Sequence, residues 1–502
     1  MAFKIKINWL DWEKESFEKA KKENKPILLD LTAVWCHWCH VMDATSYSDS
    51  GIIEMINGNF VPVQVHIDKR PDIRERYNMG GFPSTVFLDS SGHVIAGDTY
   101  VPPAKFKIML ETIKEAYKKR KDEAQDEIDS LNQKAQKEKE IKKINGEAVQ
   151  EILLSVEDSF DSFYGGFGLQ PKFPSPEVID FLFMQYKKTN NKKHLGMALK
   201  TLDGMHNGIY DTIDFGFFRY SVTQDWKTPH YEKMLDTNAG LLRNYAAAYS
   251  LTKNEKYKKV AEETIAYINK ILSNHADGGF YGSQDADEEF YLAGIEERKI
   301  KKQPYVDKTV YVDWNSMMVS SYIKAGAILN SKDAVDFAIK TADFILEKCY
   351  DRKHGLFHFF DGKAKISGLL GDNIYFLNCL TDVYETAKDA KCLENIKEIA
   401  EFILTNFYDN ETGGFFDKVS NDEDLGALKR RDKQFMENSF CANVFLRLHF
   451  LTKEMKYRET AENTLLYFSS SYLNFGFFAA LYASAVDMLL HEGINFEIAD
   501  KV

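Results

Sequence analysis

Pro26-Ile27-Leu28-Leu29-Asp30-Leu31-Thr32-Ala33-Val34, followed at once by Trp35-Cys36-His37-Trp38-Cys39-His40, decides how the first part of this chain is read. The apolar run is short enough for a buried strand. From Val41 towards Asn57, apolar and polar residues alternate at helical spacing. The two cysteines therefore sit where a strand hands over to a helix. There the exposed N–H groups and the helix dipole favour a thiolate on Cys36.

Working outward, Glu13 to Asn24 reads as a charged helix with Phe17 and Ala20 on its inner side. Further strands are expected at Phe60–Asp68 and Thr85–Leu88, and a Ser90-Ser91-Gly92 turn leads into His93–Gly97. A last helix is expected near Ala104. This order predicts an α/β unit with a mixed sheet over residues 1–117. It resembles a thioredoxin fold. The resemblance makes Asp30 the buried acid that handles protons for the inner cysteine. It also makes Gly81-Phe82-Pro83-Ser84-Thr85 the loop that faces the dithiol. A cis bond before Pro83 would set backbone opposite the sulfurs, ready to pair with an extended partner chain.

Several uses of the dithiol compete. In thiol–disulfide exchange Cys36 attacks and Cys39 resolves the mixed disulfide. Cys36-His37-Trp38-Cys39-His40 also spells the pattern of c-type haem attachment, which normally needs export. Metal binding by the cysteines with His37 or His40 would use nearly contiguous ligands, whereas tetrahedral sites usually draw a second pair from elsewhere. A docking module with idle cysteines is the remaining reading. Neither metal nor cofactor is expected.

The 502 residues predict two to three domains. A formal net charge of −12 argues against a general nucleic-acid binder, whose phosphate contacts need a basic face. Cys349, Cys379, Cys392 and Cys441 are far apart in sequence and read as buried thiols. Met1–Asn8 lacks the apolar core of a signal peptide, and the run Phe475–Leu490 is broken by Asp487. The expectation is a cytoplasmic protein with no membrane segment.

Residues 118–145 are dominated by Lys, Glu, Asp and Gln, as in a solvated helical linker. From 146 to 502 a weak repeat follows, in which apolar helical stretches end in a polar turn with glycine and aromatics. Its copies lie at 160–167, 210–217, 277–281, 350–357, 408–415 and 474–478. Six turns with room for two helices each predict a closed (α/α)6 toroid whose turns line one rim. The same glycines also suit helix C-caps with a hydrophobic contact behind them.

Taken together, both parts resemble one family, the spermatogenesis-associated, thioredoxin-domain-containing proteins and their bacterial YyaL-like members. The motifs that carry this are Cys36–Met42, Arg70-Pro71-Asp72-Ile73, Gly80-Gly81-Phe82-Pro83 and Gly165-Gly166-Phe167-Gly168 with Pro171-Lys172-Phe173-Pro174. Gly216–Val222, Trp226, Pro229–Leu235, Gln284-Asp285-Ala286-Asp287, Asp307-Lys308 and Trp314-Asn315 continue it. The resemblance implies a thioredoxin-like domain joined to a toroid similar to those of N-acylglucosamine 2-epimerases and six-hairpin glycosidases.

Within the toroid, Arg219, Tyr220, Trp226, His230, Glu232, Lys233 and Asp236 fall within eighteen residues at a turn entering a helix. A sugar site wants aromatic faces and groups that move protons, roles that suit Trp226 and His230. A helix starting near His230 would put Lys233 on its face and turn Glu232 away. Asp285 and Asp287 are an acid/base pair or helix caps. Trp314 and Asn315, and Asp372 with Asn373, open apolar helices at plausible rim positions.

The leading expectation is a thiol–disulfide oxidoreductase with a protein disulfide or redox partner. The alternatives are a sugar epimerase, isomerase or hydrolase in the toroid, taking a small sugar, and a non-catalytic binding protein.

Overall fold

The computed structural model describes residues 6–119 and 143–491. The charged segment expected at 118–145 falls mostly outside them. Two compact units form: Met1–Lys139 with Ser420–Arg431, and Glu140–Val419 with Asp432–Val502.

The first unit runs α1 (Lys14–Glu23), β1 (Ile27–Thr32), α2 (His37–Ala44), α3 (Ser50–Asn59), β2 (Val61–His66), α4 (Pro71–Tyr77), β3 (Ser84–Leu88), β4 (Val94–Asp98) and α5 (Pro103–Lys119). The sheet order is β2-β1-β3-β4, with β1 parallel to β2 and antiparallel to β3. All six residues of β1 are buried, so the strand reads as a continuous apolar run rather than an alternation. Phe17 and Ala20 face inward from α1. The helical stretch expected from Val41 to Asn57 is two helices. Thr45 leaves the helical region (φ −114°, ψ −85°), and Asp49 caps α3 by accepting from the Ile52 N–H at 3.0 Å. Ile52, Ile53 and Ile56 of α3 then join Leu28, Phe60, Phe87 and Phe106 in the core.

The residues Ser420–Arg431, read from sequence as toroid, group with this unit. The Tyr77 hydroxyl accepts from the Ala427 N–H at 2.8 Å and donates to the Gly92 carbonyl at 2.8 Å. Gly426 lies against Gly92 and the Tyr77 oxygen, where a Cβ would meet that oxygen.

Among the described residues, twelve long helices build the second unit: α6 (Gly146–Ser159), α7 (Pro176–Thr189), α8 (Lys192–Gly208), α9 (Leu235–Thr252), α10 (Glu255–Tyr267), α11 (Val312–Leu329), α12 (Lys332–Lys348), α13 (Leu370–Ala387), α14 (Ala390–Asn406), α15 (Phe435–Thr452), α16 (Met455–Phe468) and α17 (Ala480–Leu490). The helices α7, α9, α11, α13, α15 and α17 pack side by side as an inner ring. Each packs with an outer partner, respectively α8, α10, α12, α14, α16 and α6. The last inner helix therefore pairs with the first outer one and closes the ring. Buried Asp487 of α17 seals this closure, accepting from Gln185 at 2.8 Å and pairing with Lys188, both on α7. Tyr472–Leu490 is long and apolar enough to cross a membrane by length and composition. In the fold its helix is interrupted at Gly476 (φ 53°), and α17 is the part that enters the ring.

Five of the six repeat turns fold alike, each crossing from an outer helix to the next inner one. They close by backbone pairs such as Phe160 with Phe167, Tyr210 with Phe217 and Tyr408 with Phe415. Two side-chain devices recur. In the first, an asparagine early in the inner helix clamps the turn. Asn238 accepts from the Phe217 N–H and donates to its carbonyl (2.8 and 3.0 Å), as Asn315 does at Phe280 and Asn438 at Phe415. In the second, the turn aspartate accepts turn N–H groups and pairs with a lysine that also donates to a turn carbonyl. Asp161–Lys172 (2.6 Å), Asp211–Lys233 (2.8 Å) and Asp409–Lys433 (2.7 Å) are its three copies. The sixth stretch, 474–478, lies in the 3-10 segment Tyr472–Ala479 instead.

Candidate functional site

Cys36 is the N-cap of α2, where its sulfur accepts the Cys39 N–H at 3.2 Å. The two cysteines form a disulfide with their Cα atoms 5.2 Å apart. Both are buried, while Trp38 beside them is 45% exposed and leans on Tyr100 at 5.1 Å. On the other side the Trp35 indole donates to buried Asp68 at 2.6 Å. The Phe82 ring meets that of Trp35, the residue before Cys36, edge-on at 6.5 Å. The Phe82–Pro83 bond is cis, and continuing the β1–β3 register sets Pro83 opposite Thr32.

Asp30 lies in β1, 1% exposed, accepting from the Tyr47 hydroxyl at 3.1 Å and the Gln64 amide at 2.9 Å. Burial pushes its carboxyl up to about 7 against those two hydrogen bonds, and Asp43 adds repulsion. A carboxyl titrating there can hold or release a proton at neutral pH.

The toroid candidates are spread over several places. Arg219, Tyr220, His230 and Glu232 come together. His230 is in a short strand paired with Tyr220, not at a helix start; Pro229 and the pairing of Tyr220–Ser221 with Pro229–His230 hold this stretch extended, and the helix begins only at Leu235. Consequently Glu232, expected to point away, sits 2.8 Å from His230 Nδ1 with its carboxylate buried. The imidazole stacks on Tyr220 at 4.7 Å, and Tyr220 on Phe173 at 4.4 Å, with Arg219 over the Tyr220 ring at 5.6 Å. Burial and the Glu232 charge push the Tyr220 hydroxyl up to about 12.

Lys233 and Trp226 are placed elsewhere. The Lys233 ammonium is buried on Asp211 and the Phe215 carbonyl, 4.6 Å from the Tyr267 ring centre. Burial lowers it to about 8 against the attraction of Asp211. Arg298 shares Asp211 at 2.8 Å. Trp226 is fully buried, its indole donating to the Gly165 carbonyl at 3.1 Å. Gly204 and Gly208 of α8 leave the space it fills. Asn315 is a turn clamp and Trp314 packs on Tyr311 at 4.7 Å. Asp287 caps a short helical turn, accepting from Phe290 N–H at 2.9 Å; Asp285 is half-buried in the strand-to-turn segment before it.

Asp236 and Asp372 belong to a pattern that sequence reading missed. Glu177, Asp236, Asp313, Asp372 and Glu437 occupy the second or third position of α7, α9, α11, α13 and α15, all on the rim where the inner helices start. The helix dipole stabilises carboxylates at those positions. The Tyr375 hydroxyl of α13 lies within reach of the charges of Glu177, Glu437 and Asp313, from three other inner helices, so these side chains converge. Its ring stacks on Phe440 of α15 at 4.3 Å. Arg243 of α9, paired with Asp180 at 2.7 Å, also faces Glu177, whose carboxyl burial pushes up. The signal was present as a repeat: Asp236-x-Asn238, Asp313-x-Asn315, Asp372-Asn373 and Glu437-Asn438 each put an acid just before the clamp position.

Comparison with known proteins agrees with this architecture. Residues 2–136 match the DsbH-type thioredoxin family, described as a protein of unknown function (DUF255), and residues 181–367 match Glycosyl Hydrolase Family 88. Human spermatogenesis-associated protein 20 is 26% identical over 89% of this chain and 74% of its own length. The similarity to spermatogenesis-associated protein 20 thus runs through both units of the chain. Disulfide bond reductase DsbH of Chlamydia pneumoniae is 29% identical over 20% of this chain and 74% of its own. Among solved structures, a D-mannose isomerase superposes with TM-score 0.55 at 12% identity, covering 69% of this chain and 97% of that one. Cellobiose 2-epimerase from Bacillus thermoamylovorans does so with TM-score 0.53 at 13% identity, covering 65% and 87%. The chain is accordingly a thioredoxin-like domain with a mixed sheet joined to a six-hairpin helical toroid.

Proposed function

We propose that the first unit of the chain is a thiol–disulfide reductase. The observation that carries this is Cys36 at the N-cap of α2, its sulfur on the Cys39 N–H, with the two cysteines close enough to bridge. In the reduced form the Cys36 thiolate attacks a substrate disulfide. The substrate S–S bond breaks, one substrate sulfur leaves and takes up a proton, and a mixed disulfide forms. Cys39 then gives its proton to ionised Asp30 and attacks the Cys36 sulfur. The second substrate thiol leaves, and the Cys36–Cys39 disulfide holds the oxidised state. A dithiol reductant of the thioredoxin class resets it. Exposed Trp38 and the Phe82 loop give a protein substrate an apolar surface to rest on.

The test is reduction of insulin disulfides by the full chain with a dithiol donor. Cys36→Ser is expected to abolish turnover, and Cys39→Ser to accumulate the mixed disulfide, visible by mass spectrometry. Turnover that survives Cys36→Ser overturns the reading.

The His230–Glu232 pair favours a second activity in the toroid. Glu232 fixes the Nδ1 proton, which leaves Nε2 as a base beside the Tyr220–Phe173 stack. Such a base beside aromatic faces suits proton abstraction from a small sugar, in line with the isomerase and epimerase likenesses. Mannose, cellobiose and related sugars in deuterated water are the assay. Deuterium incorporation lost in His230→Gln supports the reading, and none with any sugar in the wild type removes it.

A further inference from the structure

Asp313 on α11, His358 on the strand Gly355–Phe360 and Asp372 on α13 bring one ligand-type atom each within 4.8 Å of one another. We propose that these three residues bind a divalent transition ion, Zn²⁺ or Mn²⁺, at the rim of the toroid.

The first reason is an acceptor with nothing to accept. Asp372 is 1% exposed; its Oδ1 takes the His358 Nδ1 at 2.9 Å, while its Oδ2 is buried with no hydrogen-bond partner. A carboxylate only accepts, and leaving such an oxygen dry carries the desolvation penalty of a buried, unpaired charge. Among the described residues no lysine or arginine pairs with Asp372. A cation supplies both the missing contact and the missing charge: two carboxylates and one neutral imidazole balance a divalent ion.

The second reason is ligand chemistry. One imidazole with two carboxylates suits borderline ions, whereas Ca²⁺ and Mg²⁺ prefer oxygen alone. Ligand atoms at about 2.0–2.2 Å from Zn²⁺ stand roughly 3.5 Å apart in a tetrahedron, so atoms already within 4.8 Å of one another need draw in by only about 1 Å. Three protein ligands leave a coordination position for water or a ligand. The surroundings already orient the ligands: Asp313 Oδ1 accepts the Trp314 N–H at 2.8 Å, and the Tyr311 ring lies 5.8 Å from the imidazole.

The third reason is that the pair lies outside the repeating scaffold. The turns at Asp161, Asp211 and Asp409 are held by a buried lysine. The corresponding Asp351 binds exposed His354 at 2.7 Å instead. His358 and Asp372 do not form part of either recurring clamp, whose asparagine in this repeat is Asn373.

The experiment titrates chelator-treated full-length chain, Cys36 and Cys39 kept as the disulfide so that their sulfurs cannot chelate, with ZnCl₂ and with MnCl₂ by calorimetry. One equivalent of one of these ions is expected to bind at micromolar concentration or tighter and to raise Tm. Asp372→Asn and His358→Ala are each expected to weaken binding at least 100-fold. Asp313→Asn, at a half-buried position, is expected to keep the fold and weaken binding at least 10-fold. No binding of either ion at 100 µM, or equal binding by wild type and Asp313→Asn, overturns the proposal.

Discussion

Asp30 and Asp161 are both buried aspartates, and their surroundings push them in opposite directions. Asp30 has two neutral hydrogen-bond donors and no cation, so burial wins and its carboxyl rises to about 7. At Asp161 burial also pushes up. There the Lys172 ammonium, two turn N–H groups and the Gln224 amide outweigh it and hold the group at about 2. Asp409 is held low by the same means, through Lys433 and its turn. The contrast teaches that a buried aspartate paired with a lysine in the toroid turns holds the fold, while Asp30, buried in β1 without a cation, costs stability and is suited to moving a proton.

The sharpest way to break this contrast is pH. Between about pH 4 and 7 folded Asp30 keeps a proton that the unfolded chain has released. The first unit should therefore lose about 1.4 kcal/mol per pH unit over that window, up to ~4 kcal/mol in all. Asp30→Asn should flatten the profile and leave the variant more stable than wild type at pH 8, measured by calorimetry of the full chain. A profile unchanged by Asp30→Asn removes the raised carboxyl from the account.

Lys172→Met should act in the opposite sense, destabilising the second unit by about 3 kcal/mol at pH 7, because Asp161 is left as a buried unpaired carboxylate. Adding Asp161→Asn should restore part of the loss. In wild type the contribution of Asp161 is present above the unfolded aspartate range and disappears as pH falls from about 4 to about 2. Denaturant midpoints for the single and double variants decide it.

Asn438→Ala should cost about 2 kcal/mol, since it strips partners from both the N–H and the carbonyl of buried Phe415. The smallest effect is expected at His230. His230→Gln keeps a donor for Glu232 and should change stability by under about 1 kcal/mol, so any loss of sugar turnover would be chemical rather than structural. A large drop in Tm for His230→Gln would instead make that pair a fold element like the turn clamps.

What could be read from sequence was whatever is local. The strand, the Cys-x-x-Cys and the helix after it are consecutive, so period and composition suffice to place Cys36 and Cys39, while Asp30 was singled out by the resemblance to a thioredoxin fold. The six Gly-aromatic turns repeat and revealed the hairpin count, though the copy at 474–478 does not close like the others. The reading of 219–236 as one pocket held only for Arg219, Tyr220, His230 and Glu232, because neighbours in sequence face different ways. Pro229 sits in a short strand pair that turns Glu232 onto His230, while Lys233 goes to Asp211 and Trp226 to the glycines of α8.

The sequence by itself determined the two folds, because hydrophobic period and turn chemistry act over a few residues. Only the tertiary structure decided which groups share a site. Ring closure brings Glu177, Asp313 and Glu437, which stand far apart along the chain, around one tyrosine. The strand Gly355–Phe360, packed back on the start of α13, sets His358 against Asp372, and nothing in the local pattern of residues announces that pairing.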